Sequence, residues 1–288
     1  CRSLEARPVT LPDDLAVMRG LCDSADVLVE NFRPGTLERL GLAPEVLHVT
    51  NPGLVITRVT GFGQTGPYRD RTAFATQAEA LSGFAAINGD PDGPPLLPPI
   101  ALTDEVAALV GAFATMVAVH SGVGQVVDVN LIESMLQLMG PLVPLYGLLG
   151  RTQQRLGAGI PYTVPRNTYR CSDGGWIAVS SSAGSVAQRV LGLIGLGGDD
   201  RFRGFEARVA HRELIDEHLG TWIAQRTRDE VLEEFERVHA AAAPVYDMAD
   251  IFADPHYRER GAITTVDGVP MPEAVARRVL FHLEAFEV

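Results

Sequence analysis

Three short apolar runs, each closed by a turn and followed by a helical pattern, constrain this chain more than any other feature. Asp26-Val27-Leu28-Val29 stops at the turn-rich loop Glu30-Asn31-Phe32-Arg33-Pro34-Gly35. Leu54 to Thr60 runs into Gly61-Phe62-Gly63-Gln64-Thr65-Gly66-Pro67, and Val126 to Leu131 gives way to a helical pattern from Ile132 to Met139. Further helices are predicted at Leu15 to Cys22, Thr36 to Leu40 and Pro44 to Val49, with a further segment from Phe74 to Gly83. Strands alternating with helices call for an α/β fold with a mostly parallel sheet, and such sheets bind ligands at the carboxyl ends of their strands.

Past Met139 the pattern changes. Gly140 to Pro165 holds several Gly and Pro residues and little periodicity, which reads as a long connector. A hairpin follows, Asn167 to Cys171 and Trp176 to Ser180 around Ser172-Asp173-Gly174-Gly175, the Asp-Gly pair being a good turn signal. Helices from about Ser185 to Ile194, Arg212 to Gln225 and Arg228 to His239 complete a smaller α+β unit. The expected division is a large-domain portion at 1–139, a linker at 140–165, a small α+β domain at 166–250 and a return segment toward the large domain at 251–288.

Asp104 is the strongest candidate for chemistry. It ends the extended run Pro98-Pro99-Ile100-Ala101-Leu102-Thr103-Asp104, after which Glu105 to His120 turns apolar with helical spacing. Val106, Leu109, Val110, Phe113, Met116 and Val117 fall on one stripe, predicting the packed face. Asp104 is then at or next to an N-cap, where unpaired N–H groups and the helix dipole favour the ionised carboxylate that a nucleophile requires. A cap with no further role fits the same local pattern.

Composition narrows the choices. At 288 residues and 46% hydrophobic content the chain can bury a large core in one or two domains. No apolar run approaches the ~20 residues that span a bilayer, and the N-terminus does not resemble a signal peptide. Cys1, Cys22 and Cys171 are an odd, widely spaced set without metal-ligand spacing, which points to a reducing, cytoplasmic setting. The histidines carry no metal spacing either. The formal net charge of −12 argues against nucleic-acid or anionic-membrane binding. All 24 basic residues are arginine, so lysine Schiff bases and a Walker lysine are excluded. An anionic ligand would have to be held by arginine, backbone N–H groups and helix N-termini.

Read together, the motifs resemble the class III CoA-transferase family, the CaiB/BaiF type that includes formyl-CoA transferase. The matching pieces, in the family's order, are Ala25 to Gly35, Arg39-Leu40-Gly41-Leu42, Asn51-Pro52, Gly61 to Tyr68, Gln77-Ala78 with Ser82-Gly83, Asp104, and Gly124 to Val129. Pro165 to Arg170, Asp173-Gly174, Ala243-Pro244-Val245 and Asp254-Pro255-His256 continue the match. A lone Gly-x-Gly is weak evidence; this ordered set is specific. The resemblance implies a Rossmann-like large domain, a smaller α+β domain and an interlocked homodimer whose linkers close rings around each other. It implies transfer of CoA between an acyl-CoA and a carboxylic acid through a covalent aspartyl intermediate on Asp104. It implies no permanently bound cofactor and no metal, coenzyme A thioester being substrate. It places Asn31, Phe32 and Arg39 against CoA, with Gly61 and Gly63 letting backbone approach the ligand and supply N–H donors.

The chain also departs from that pattern. Phe74-Ala75 stands where many members have Tyr or a related residue followed by an acidic one, so a second assisting carboxylate is expected to be absent. The family's opening strand and helix, a unit of ~30 residues or more, has no counterpart before Ala25, and the end past Met271-Pro272 is short, so truncation at both ends is expected. Two other readings stay open. An α-methylacyl-CoA racemase-like enzyme also uses an Asp here but needs an opposing acid/base, and Arg71 to Gln77 holds no His. A noncatalytic CoA-binding remnant would follow from the missing unit.

Overall fold

The three apolar runs pair as a parallel sheet. In the computed structural model, which describes residues 12–181 and 183–273, β1 (Val27–Glu30), β2 (Val55–Thr60) and β3 (Gln125–Asn130) lie in the order β1-β2-β3. Val27 aligns with Val55, and Val55 with Gln125. Parallel neighbours need crossover connections, and each one carries helices. α1 (Pro12–Cys22) precedes β1, and α2 (Thr36–Arg39) and α3 (Pro44–Thr50) join β1 to β2. α4 (Ala75–Leu81), α5 (Phe84–Ile87) and α6 (Leu102–Ser121) join β2 to β3, after which come α7 (Leu131–Leu138) and α8 (Leu142–Leu149). The central strand β2 is buried on both faces. One side packs Leu28, Leu54 and Ile56 against Cys22, Leu37, Leu42 and Leu47, and a second cluster gathers Ala78, Ala107, Val129 and Leu131.

The packed face of α6 differs from the sequence expectation. Thr103, Ala107, Gly111, Thr115 and Ala118 are buried, whereas Leu109, Val110, Phe113, Met116 and Val117 are exposed, Phe113 by 74%. Small side chains let the helix axis approach the sheet closely. The Thr57 and Thr115 hydroxyls lie 2.6 Å apart, while a Cβ at Gly111 would meet the Val129 and Thr57 methyls only at ordinary contact distances of 3.9 and 4.0 Å. Hydrophobic periodicity finds the larger apolar face, but closeness of approach decides which face the sheet takes. The helix is also longer than its apolar run: at 20 residues, with an 18-residue stretch of mean hydropathy 1.6, it has the length and composition to cross a bilayer. Here it packs on β2, β3, α4 and α7.

The chain divides into two units, Cys1–Pro161 and Tyr162–Val288. The expected linker at 140–165 is not featureless, since it carries α8, none of whose residues is buried. In the second unit β4 (Arg166–Arg170), β5 (Trp176–Ser180) and β6 (Ala242–Pro244) form an antiparallel sheet in that order, so the predicted hairpin is present. α9 (Gly184–Leu193), α10 (Phe205–Ala210), α11 (Arg212–Ala224) and α12 (Arg228–Arg237) cover it. Ile177, Val190, Leu191, Phe202, Ile215, Leu219 and Phe235 make up its core. Thr227 and Glu230 close a capping box on α12. α13 (Met248–Ala253), α14 (Pro255–Glu259) and the hairpin of β7 (Ile263–Val266) with β8 (Val269–Pro272) follow in the same unit. The rest of the expected return segment, 274–288, lies outside the described residues.

Candidate active site

A cleft of about 620 Å³ opens at the carboxyl end of β1 and β2, between those strands and α6. Asp104 and Asn31 both line it, with Glu30, Thr57, Ala107, Gly111 and Leu131 among its other walls. The position is the one that parallel-sheet topology favours for ligands. Asp104 is not the N-cap. Ala101 holds that place and offers no side-chain cap, and Asp104 is the third residue of the helix, in its acidic first turn. Its carboxylate is exposed, and among the described residues neither it nor the Asn31 amide makes a hydrogen bond or ion pair. A carboxylate beside the positive end of a 20-residue helix, unpaired and facing a cleft, is free to attack.

The turn that presents Asn31 is held by an ionic network that the sequence did not reveal. Arg58, on β2 and buried, donates Nε–H to Glu30 Oε1 at 2.6 Å and Nη1–H to Glu38 Oε1 at 2.8 Å. The second oxygen of Glu30 accepts the Phe32 N–H at 2.7 Å. Hydrogen bonding from Arg58 holds the Glu38 carboxyl below its usual range. Strand β1, strand β2 and helix α2 are thereby tied at the cleft. Arg58 reads in sequence as one polar residue in an apolar run; only the in-register pairing of Glu30 with Arg58 brings the charges together.

The structure places the other candidates as follows. Phe32 is half exposed beside Asn31. Arg39 does not line the cleft; its Nη2 donates to Thr36 Oγ1, one turn back on α2, at 2.8 Å. Gly61 is required by packing, because an added Cβ would collide with the Ala73 Cβ. Gly63 takes φ of 87°, and its N–H donates to Thr60 Oγ1 at 3.0 Å. The Gln64 N–H donates to Asp128 Oδ2 at 2.9 Å. The N–H groups of Gly63 and Gln64 are therefore engaged by side chains of β2 and β3. Gln64 does bring one unassigned group, a buried Nε2 without a hydrogen-bond partner among the described residues. Arg71 stacks on the Tyr68 ring at 3.7 Å, and Arg69 pairs with Asp70.

Known proteins similar to this chain belong to one family. A family model described as CoA-transferase family III matches residues 9–287. Succinyl-CoA–D-citramalate CoA-transferase of Chloroflexus aurantiacus is 37% identical over 281 residues, covering 95% of this chain and 70% of that protein. The alpha subunit of succinyl-CoA–L-malate CoA-transferase from Chloroflexus aurantiacus is 35% identical, covering 94% of this chain and 65% of its own length. Succinate–glutarate CoA-transferase of Agrobacterium fabrum is 31% identical, with 91% and 68% covered. The chain thus spans about two thirds of the length of these relatives. Among solved structures, a CaiB/BaiF family protein from Brucella suis superposes with a TM-score of 0.80 at 30% identity, covering 93% of this chain and 73% of that one.

Proposed function

We propose, on the premise that this chain belongs to CoA-transferase family III, that it moves CoA from an acyl-CoA to a carboxylic acid with Asp104 as nucleophile. The observation that carries this reading is the unpaired Asp104 carboxylate at the α6 N-terminus, lining the cleft with Asn31. An Asp104 oxygen attacks the thioester carbonyl, the C–S bond breaks, and CoA leaves as thiolate from a mixed anhydride. The thiolate attacks the aspartyl carbonyl and releases the donor acid as carboxylate, leaving an aspartyl-CoA thioester. The acceptor carboxylate then displaces the thiolate to form a second anhydride. Return of the thiolate to the acceptor's acyl carbon gives the new acyl-CoA and regenerates Asp104. Splitting one exchange into these steps is the benefit of covalent catalysis. The first-turn N–H groups of α6, which a helix leaves without intrahelical partners, face developing negative charge favourably.

Asn31 and Phe32 are the proposed CoA contacts at the end of β1, with Arg39 nearby on α2 for phosphate. Relatives named for succinyl-CoA and succinate support succinyl-CoA as the first donor to try. The exposed apolar face of α6 and the unburied α8 support an interlocked homodimer in which a second copy covers them. The buried free thiols Cys22 and Cys171 support a reducing, cytoplasmic setting.

The test is intact mass after mixing with succinyl-CoA. The wild-type chain gains an acyl- or CoA-sized adduct that hydroxylamine removes, and Asp104→Asn gains none. Equal adduct formation by Asp104→Asn would reject the assignment.

A further inference from the structure

Glu79 is a buried carboxyl group that the proposed chemistry does not use. It lies on α4, 3% exposed, and among the described residues no arginine or histidine pairs with it. A carboxyl so placed is a liability to the fold unless a specific bond engages it. Its side chain has one such bond: Thr103, fully buried in the first turn of α6, donates Oγ1–H to Glu79 Oε1 at 3.1 Å. Thr103 is the residue before Asp104. The N-cap of α6 is Ala101, with no side-chain cap, so this turn lacks the usual device that fixes a helix start. Ala75, which stands where many members of the family carry an acidic residue, opens α4, and Glu79 follows on the same helix face one turn later.

We infer that Glu79 is a positioning residue for Asp104: through the Thr103 hydroxyl it fixes the rotation and axial position of α6's first turn, and so the point where the Asp104 carboxylate enters the cleft. The inference rests on the reading of Asp104 as nucleophile. Misplacing a reacting group by about 1 Å can lower a rate by about a hundredfold, so one hydrogen bond at this site matters to chemistry more than to stability. A neutral acceptor serves as well as a charged one, because the bond needs only an oxygen facing the hydroxyl.

The experiment uses the full chain with Glu79→Ala, Glu79→Gln, the near-isosteric Thr103→Val and the double variant Glu79→Ala/Thr103→Val. Single-turnover adduct formation from succinyl-CoA is followed by mass, and kcat and KM by steady state. Glu79→Ala and Thr103→Val each slow adduct formation by about 10- to 100-fold, with KM changed by less than about twofold. The double variant is no slower than the slower single one, since both remove the same bond. Glu79→Gln restores the rate. Wild-type rates in Thr103→Val, multiplicative losses in the double variant, or a Glu79→Gln rate as low as that of Glu79→Ala would each overturn the proposal. Amide hydrogen exchange across residues 102–106 separates this inference from the proposed function. If the wild type forms no adduct, the nucleophile reading fails, while faster exchange in Glu79→Ala and Thr103→Val still supports positioning and unchanged exchange overturns it.

Discussion

Replacing Arg58 by methionine tests the ionic network under the cleft. Methionine keeps most of the buried volume and removes the cation. Glu30, itself buried, then retains the Phe32 N–H on one oxygen and loses its only charged partner among the described residues. Breaking a buried pair from one side costs about 3–5 kcal/mol, because an uncompensated charge stays inside. Glu38 adds little to that figure: its side chain is 39% exposed and rehydrates, so its share is ~0–1 kcal/mol. A loss of about 3 kcal/mol lowers the melting temperature of a unit this size by roughly 6–12 °C. The double variant Arg58→Met/Glu30→Gln removes the charge while keeping an acceptor for Phe32, and recovers most of the loss. The pH dependence follows from Glu38. Its folded pKa lies below its unfolded one, so the contribution is present above the unfolded pKa of about 4.3 and fades as pH falls through the folded value. Arg58→Met flattens stability against pH in that acidic window. Urea titrations of the single and double variants at neutral pH and near pH 4 make the measurement. A single variant within about 0.5 kcal/mol of wild type, or a double variant no better than the single, would refute the reasoning.

Two further outcomes are expected. Tyr169 donates its hydroxyl to Asp216 Oδ1 at 2.6 Å, and burial, reinforced by that carboxylate, pushes the phenol above its usual range; Tyr169→Phe costs about 1.5–3 kcal/mol by chemical denaturation, and in alkaline absorbance titration one tyrosine of the wild type ionises only as the second unit unfolds. Phe113→Glu, on the exposed apolar face of α6, shifts light scattering from dimer to monomer while leaving the melting curve of the separated species near wild type.

Strand positions were legible because β-branched runs bounded by turn residues have few alternatives, and all three parallel strands fall within one residue of their apolar runs. That Asp104 and Asn31 stand beside a cleft was legible because each sits at the end of a regular element, where side chains reach one. Three features were hidden for physical reasons. Arg58 and Glu30 lie far apart in sequence, and only strand register makes them neighbours. Glu79 carries no signal in sequence, since burial of α4 against α6 cannot be read from seven residues. The buried face of α6 was misread because periodicity weighs side-chain size, while packing on a sheet rewards a helix that can come close. The glycine loop has structural reasons of its own, contact with Ala73 at Gly61 and the turn at Gly63, which sequence does not separate from approach to a ligand.

Gly111 brings these threads to a single site. It lies mid-way along α6, on the buried stripe, and lines the same cleft as Asp104. Glycine within a helix is less favourable than alanine by about 1 kcal/mol, so stability alone would not keep it there. Nor would steric need: a methyl group at Gly111 meets Val129 and Thr57 only at ordinary contact distances of 3.9 and 4.0 Å. What the missing methyl does supply is room, because Thr57 and Gly111 are both walls of the cleft. Gly111→Ala is therefore expected to raise stability by about 0.5–1 kcal/mol while narrowing the cleft and raising KM for the acyl-CoA a few-fold. Denaturant midpoints and steady-state kinetics on one preparation measure both. A variant that is stabilised with unchanged KM would show that the substrate does not reach this part of α6; a destabilised one would show that the sheet cannot accept even one methyl, and that close approach alone keeps the glycine.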